Sequence, residues 1–154
     1  KHPDIQFLIK THPADPFHYD AYMNVRNIHL LPKDTNLYDV LRYSDLIMTI
    51  SSNTAFEAAI LNKAIIVLQP KIPYDFDNNN NDFRKHLAHA HAGPVAKNDA
   101  DLTRQVGNFF SHSTFRNQVH TQAQQFIKCS LQTSSSPANV TYTLIQRILQ
   151  GEET

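Results

Sequence analysis

The stretch DLIMTISSNTAFEAAILNKAIIVL, residues 45–68, decides the fold. Its two ends, Asp45 to Ile50 and Ala64 to Leu68, are short and nearly all apolar, which is typical of strands covered on both faces. A helical segment from Ala55 to Asn62 lies between them. Strands that alternate with helices in this way predict an α/β fold with a parallel sheet.

Three further runs of strand length extend the pattern. IQFLIK (Ile5 to Lys10) ends at THPADP, whose prolines forbid a helix. NIHLLPK follows at residues 27–33, and a last strand is predicted around Gly93 to Ala96. We therefore predict a Rossmann-like sheet of about five parallel strands, with helices on both faces and a helical tail at the carboxyl end.

The helices are predicted from caps and from apolar spacing. DTNLYDVLRYS offers Asp34 or Thr35 as the N-cap of a helix that presents Leu37, Val40 and Leu41 on one face. Two later helices carry apolar residues at helical spacing, namely Leu102, Val106, Phe109 and Phe110 in one, and Phe115, Val119 and Phe126 in the other. A final helix has Ser136 as N-cap and Pro137 at its first position. Residues 1–132 then form the Rossmann-like domain, and residues 133–154 form a linker and a C-terminal helix.

Composition narrows the class of protein. Lys plus Arg equals Asp plus Glu, at 14 each, so no net charge favours nucleic acid as a partner. No apolar run approaches the ~20 residues that span a bilayer, and the single Cys129 fits a reducing compartment. We therefore expect a cytoplasmic protein, and the start at Lys1 suggests a fragment of a longer one. With only three glycines, a Walker A loop and a GxGxxG fingerprint are excluded.

The turn SSNTAFE is the first candidate site. Ligands of doubly wound sheets lie beyond the carboxyl ends of the strands, where the next helix begins. Ser51, Ser52, Asn53 and Thr54 lie at such an end, and their hydroxyls and backbone N–H groups could hold a phosphate. Glu57 lies one turn further on, where a ribose diol could donate to it.

A structural alternative exists for the same residues. Thr54 to Glu57 also reads as S/T-x-x-E, which is a capping box that closes the start of a helix. The spacing alone does not separate the two interpretations.

Lys10 and His12 form a second candidate site. Both follow the first strand, so their loop should open on the same side of the sheet as SSNTAFE. A histidine there can neutralise a phosphate or act as a general acid or base. The alternative is a turn that Pro13 and Pro16 stop, with His12 merely exposed.

The segment after residue 68 adds weaker candidates. Tyr74 and Asp75 could reach a substrate from the loop QPKIPYDFDNNNND, although tyrosine is also a common loop anchor. HLAHAH could suggest a metal site, but no cysteine or further carboxylate shares the pattern, so we expect no metal.

FLIKTHP, SDLIMTISSNTAFEAAILNKAIIVLQ and IPYDF together resemble the carboxyl-terminal half of bacterial capsule-polysaccharide biosynthesis proteins. Those proteins are GT-B glycosyltransferases and include β-Kdo transferases that use CMP-Kdo. The chain is similar, less closely, to CDP-glycerol polymerases of teichoic-acid synthesis and to non-hydrolysing UDP-GlcNAc 2-epimerases. The resemblance runs from Ile5 to Asp75.

The resemblance implies that residues 1–132 hold a nucleotide-sugar donor, linked to CMP, CDP or UDP, with no other cofactor. Lys10 and His12 would face its phosphate, Glu57 its ribose, and residues 51–54 would line phosphate and nucleotide. It also implies a glycan or glycolipid acceptor, an absent amino-terminal domain, and peripheral association of the full-length protein with the inner membrane. The alternatives are a UDP-sugar 2-epimerase and a non-catalytic binding domain with the same fold. An epimerase would need acid and base carboxylates near the sugar, and besides Glu57 only Asp15 and Asp75 are candidates.

Two departures from the family pattern stand out. Ala64 replaces the usual proline of its strand, and the family's first strand has no counterpart here. That strand is central in the order 3-2-1-4-5-6. The runs IQFLIK and DLIMTI must therefore pair directly, or the element between them must come from elsewhere. We expect this chain alone to bind donor weakly and not to turn over.

Overall fold

The computed structural model of the chain describes residues 3–12, 15–16, 18–22, 24–50, 52–69 and 91–131. Its strands are β1 (Phe7–Ile9), β2 (Ile28–Leu30), β3 (Leu46–Thr49), β4 (Ala64–Leu68) and β5 (Val95–Ala96). Its α-helices are α1 (Leu37–Tyr43), α2 (Thr54–Ile60), α3 (Asp99–Ser111) and α4 (Ser113–Leu131), and a 3₁₀ turn covers Asp20–Tyr22. The predicted linker and last helix lie outside the described residues.

Every strand pair in the described part is parallel, which confirms the predicted α/β class. The strands form two sheets, one of β1 and β2 and one in the order β3-β4-β5. In the larger sheet, Leu46 to Thr49 pair with Ala64 to Val67 in register, and Val67 and Leu68 pair with Val95 and Ala96. The two sheets therefore divide between β1 and β3, where the sequence lacks a counterpart of the family's first strand.

The larger sheet is covered on both faces, as its apolar strands predict. On one face, Ile47, Ile65 and Val67 pack in a cluster with residues of α1 and α2. On the other face, Ile66 and Ala96 pack against Val106 of α3. This alternation buries both sides of β4 and explains why its sequence lacks a polar face.

Helix α4 contributes to the core on both faces. Val119 packs in a cluster with Ala64 and Phe109 of α3. Further along the helix, Phe126 packs with residues of α2, and its ring lies 4.7 Å from that of Phe56. Val119 therefore packs at the amino-terminal end of β4, of which Ala64 is the first residue, whereas Phe126 packs beside the first turn of α2.

The smaller sheet is joined to the larger one through β1. Ile5 and Phe7 pack against the cluster on the α3 face, together with Leu46 and Met48 of β3. Phe7 lies in β1 and Ile5 lies two residues before it. The smaller sheet therefore contacts this cluster through β1.

Gly93 permits a close approach of its backbone to that of Ile65 in β4. A Cβ atom on Gly93 would lie 1.9 Å from the carbonyl oxygen of Ile65, which is inside any permitted contact. The absence of a side chain therefore lets the segment before β5 lie directly on β4.

The start of α1 corrects a prediction. The N-cap is Asn36, not Asp34 or Thr35, because the Asn36 side chain accepts a hydrogen bond from the backbone N–H of Tyr38 at 2.9 Å. The predicted face is retained, since Leu41 is buried and Leu37 packs against the same cluster.

Candidate functional site

The candidate residues that the structure describes lie at the carboxyl ends of β1 and β3, in two groups. The first, which we call the lysine cluster, comprises Lys10, His12, Asp15, Tyr19 and Lys33. The second, which we call the serine turn, comprises Ser52, Asn53, Thr54 and Glu57. Because the strands of each sheet are parallel and α1 and α2 follow β2 and β3, each helix begins at the carboxyl edge of its own sheet. A hydrogen bond between Tyr38 and Glu57 joins the two helix starts.

In the lysine cluster, Lys10 bridges two loops. Its ammonium group donates to the backbone carbonyl oxygen of Lys33 at 2.8 Å and to that of Thr11 at 3.3 Å. Lys33 lies in the loop after β2, so this bond joins the carboxyl ends of both strands of the smaller sheet. A lysine ammonium has three donors, and these two bonds leave one for another acceptor.

Lys33 ties the same loops in the opposite direction. Its ammonium group donates to the backbone carbonyl oxygen of Asp15 at 3.0 Å. A second cation therefore lies beside Lys10, at the end of β2, which the sequence interpretation missed. The signal was present in LLPKDTN, because a lysine directly after a parallel strand lies at the ligand-binding edge.

The Asp15 carboxylate accepts a hydrogen bond from the Tyr19 hydroxyl at 2.7 Å. This hydrogen bond, with smaller contributions from burial and from the negative charge of Asp15, raises the pKa of the Tyr19 phenol. His12 belongs to the same loop, where its backbone carbonyl oxygen accepts from the N–H of Asp15 at 2.9 Å. The His12 side chain is exposed.

The predicted capping box, formed by Thr54 and Glu57, is wrong. The Ser52 hydroxyl accepts from the backbone N–H of Thr54 at 3.2 Å, while Asn53, at the N-cap position, makes no capping bond. Thr54 is thus the first residue of α2, and the Glu57 carboxylate contacts a different helix. The hydroxyl that caps the Thr54 N–H therefore belongs to the residue two positions before the helix.

The N–H groups of the first turn of α2 already have acceptors. Ala55 N–H bonds to the Ser52 carbonyl oxygen at 3.1 Å, and those of Phe56 and Glu57 bond to the Asn53 carbonyl oxygen. The sequence interpretation treated the backbone N–H groups of residues 51–54 as free, and among these the N–H of Thr54 is bonded to the Ser52 hydroxyl. In this conformation an anion at the turn would instead meet side-chain hydroxyls, or would have to displace Ser52 from Thr54.

Glu57 has a partner that the sequence did not reveal. The Tyr38 hydroxyl donates to the Glu57 Oε1 atom at 3.2 Å. Tyr38 lies in the first turn of α1 and Glu57 in the first turn of α2, so the bond joins the starts of two helices. The sequence indicated this contact only indirectly. Tyr38 lies at the edge where α2 begins because Asn36 caps the start of α1.

Several predicted residues cannot be placed. Ser51, Tyr74 and Asp75, like His86 and His89, lie outside the described residues. In the ranges that are described, no group of three His, Cys, Asp or Glu side chains is arranged to hold a metal ion. Nor does any helix in that part combine the length and the apolar character that a membrane crossing requires.

Comparison with known proteins shows the family of the chain. The family model described as CDP-glycerol:poly(glycerophosphate) glycerophosphotransferase matches residues 1–145. No curated protein and no solved structure matches the chain. Since the family match covers nearly all of the 154 residues, the chain belongs to the CDP-glycerol:poly(glycerophosphate) glycerophosphotransferase family, and its domain is of the transferase type.

Proposed function

We propose that this chain is the donor-binding part of a transferase that uses a CDP-linked donor, with CDP-glycerol as the first candidate. The observation that carries the proposal is the family match over residues 1–145. The structure adds support, because lysines, hydroxyls and a carboxylate lie at the carboxyl ends of β1 and β3, the edge where parallel sheets bind nucleotides.

Each part of the donor would meet a matching group. Glu57 accepts hydrogen bonds from the ribose hydroxyls, and the third donor of Lys10 and the exposed His12 face the phosphates. Ser52, Asn53 and Thr54 supply hydroxyl and amide groups beside them. Ser51, Tyr74 and Asp75 complete the proposed set from segments outside the described residues.

The proposed chemistry is transfer of a glycerophosphate group. An acceptor hydroxyl attacks the phosphorus atom that carries glycerol, the bond from that phosphorus to the CMP phosphate oxygen breaks, and CMP leaves. Lys10 and His12 stabilise the negative charge that develops on the departing phosphate. This role needs no metal ion, because side-chain cations supply the positive charge. A nucleotide sugar, such as one that builds a capsule or other bacterial surface polysaccharide, would use the same nucleotide contacts.

A partner domain belongs to the proposal. In a GT-B arrangement a second, amino-terminal domain holds the glycan or glycolipid acceptor, and closure of the two domains orients the reactants. The full-length protein would then work in the cytoplasm, at the surface of the inner membrane where such acceptors are carried.

A calorimetric titration of the 154-residue chain with CDP-glycerol, CDP, CMP and UDP tests the proposal. We expect binding of the cytidine nucleotides, weakened about tenfold or more by Glu57→Ala, because hydrogen bonds to a charged group are among the stronger ones. His12→Ala should weaken the diphosphates more than CMP. Asp45→Ala and His112→Ala are matched controls, since both residues are exposed and lie towards the opposite, amino-terminal edge of the sheet.

Two results would contradict the proposal. One is the absence of binding for every nucleotide at millimolar concentration by a chain whose NMR spectrum shows it to be folded. The other is binding that Asp45→Ala weakens as much as Glu57→Ala, which would place the nucleotide away from the carboxyl edge.

A further inference from the structure

The contact between Tyr38 and Glu57 suggests a residue beyond the predicted set. We propose that Tyr38 is part of the nucleoside-binding surface, where its hydroxyl positions the Glu57 carboxylate for the ribose and its ring stacks on the base. This inference rests on the proposed function, because it assigns a role to a neighbour of the proposed ribose ligand.

The hydrogen bond fixes one oxygen of the carboxylate. Tyr38 donates to Oε1 of Glu57 at 3.2 Å, and a carboxylate has two oxygens with about four acceptor sites between them. The second oxygen is therefore left for the ribose diol, with the carboxylate held in one orientation. Tyrosine suits this role because only two side-chain torsions have to be ordered.

The ring of Tyr38 stays accessible while its hydroxyl is held. The side chain is 54% exposed, although it bonds to a partly buried residue of another helix. An aromatic face that is both held and open to solvent is the arrangement on which bases stack, and such stacking tolerates any base. The base would then lie beside the ribose that Glu57 binds, as the two are joined in a nucleoside.

The same helix offers a matched control. Tyr43 is 83% exposed and lies at the last turn of α1, whereas Tyr38 lies in the first. Since α1 begins at the carboxyl edge of its sheet, the two tyrosines lie at opposite ends of this helix, and Tyr43 lies at the end away from that edge. Exposure alone therefore does not distinguish Tyr38, but its position and its bond to Glu57 do.

The test compares nucleotide affinities of Tyr38→Phe, Tyr38→Ala and Tyr43→Ala with those of the unaltered chain. CMP, 2′-deoxy-CMP and ribose 5-phosphate serve as probes, because they differ by one hydroxyl or by the base. Tyr38→Phe should reduce the preference for CMP over 2′-deoxy-CMP at least about threefold, since the carboxylate loses its orientation. Tyr38→Ala should weaken CMP about tenfold, which is within the range for loss of one stacked base, and ribose 5-phosphate far less.

A merely structural role of Tyr38 would lower the melting temperature without changing these ratios. If the chain binds CMP and Glu57→Ala weakens it, but both Tyr38 variants keep the affinities and ratios of Tyr43→Ala, the inference is wrong and the proposed function stands. If no probe binds to the unaltered chain, the proposed function fails and the inference fails with it.

Discussion

The two sheets of this domain differ in how far they are buried. In the larger sheet, β4 is buried from Ala64 to Val67, with helices on both faces. In the smaller sheet each strand has three residues, and Leu8, His29 and Leu30 are exposed. The larger sheet is therefore a self-contained core, whereas the smaller sheet depends on Ile5 and Phe7 for its attachment to it.

This difference divides the candidate site as well. The serine turn and Glu57 lie on the buried core, which holds them through α2. The lysine cluster lies on the smaller sheet and is held mainly by hydrogen bonds from Lys10 and Lys33 to backbone carbonyl oxygens. We infer that the proposed nucleoside contacts are the better ordered before a donor binds, and that the proposed phosphate contacts gain more order from binding.

The largest effect is expected for Gly93→Ala. The added Cβ would lie 1.9 Å from the Ile65 carbonyl oxygen. The atoms that it would meet belong to the backbone of Ile65, in the buried core, and cannot turn aside as a side chain could. The segment before β5 must move off β4, so we expect a loss of about 3 kcal/mol or more of the free energy of unfolding. Urea denaturation measures it.

Gly107→Ala is the control for that substitution. Gly107 lies within α3, where alanine favours the helix by about 1 kcal/mol. Equal stability of the two variants would show that β4 and β5 are not packed as described.

Truncation of phenylalanines compares the two sheets directly. Phe109 is buried beside Ala64, so Phe109→Ala should lower the free energy of unfolding by about 3–5 kcal/mol. Phe7 is only partly buried on β1, so Phe7→Ala should cost about half as much or less. Equal losses measured by urea denaturation would mean that β1 belongs to the same cooperative core as β4.

Hydrogen exchange should distinguish the open edge of β1 from β4. The N–H of Phe7 and the carbonyl oxygen of Ile9 bond towards β2, so the N–H of Leu8 points to the other edge of the strand. We expect the Leu8 amide to exchange at least about a hundredfold faster than that of Ile66, because only the latter lies in the centre of a covered sheet. Comparable protection would mean that another segment pairs with β1.

The smallest effect concerns Tyr19, in the lysine cluster. Its hydrogen bond to Asp15 raises the pKa of the phenol, so Tyr19 should give a late step, above the usual range of tyrosine, in an absorbance titration at high pH. The bond's contribution to stability is complete below the usual tyrosine pKa and is lost as the pH rises through the raised value. Asp15→Asn should return the late step to lower pH, and an unchanged titration would contradict the contact.

The sequence predicted those features that depend on local pattern. The apolar runs located the five strands of the described segments, and the spacing of Val106, Phe109 and Val119 located the buried faces of α3 and α4. What it missed depends on contacts between segments. Three contacts join residues that come close only in the folded chain. They are the Ser52 cap, the bridge from Lys10 to Lys33 and the bond from Tyr38 to Glu57.

The division into two sheets was predictable from the sequence only in part. The order of strands in a doubly wound sheet made a gap between IQFLIK and DLIMTI foreseeable. Whether the two strands would close it by pairing depends on side-chain packing, and here Ile5 and Phe7 pack against the α3 face without a shared ladder in the described residues.

The most direct measurement is an NMR titration of the isotopically labelled chain with CDP, following the backbone amides of Lys10, Thr54 and Glu57. If the lysine cluster and the serine turn form one donor site, all three signals should move with the same midpoint concentration, while that of Lys63 at the amino edge should not. Signals that stay in place in both groups, or movement confined to the amino edge, would contradict a donor site at the carboxyl ends of β1 and β3.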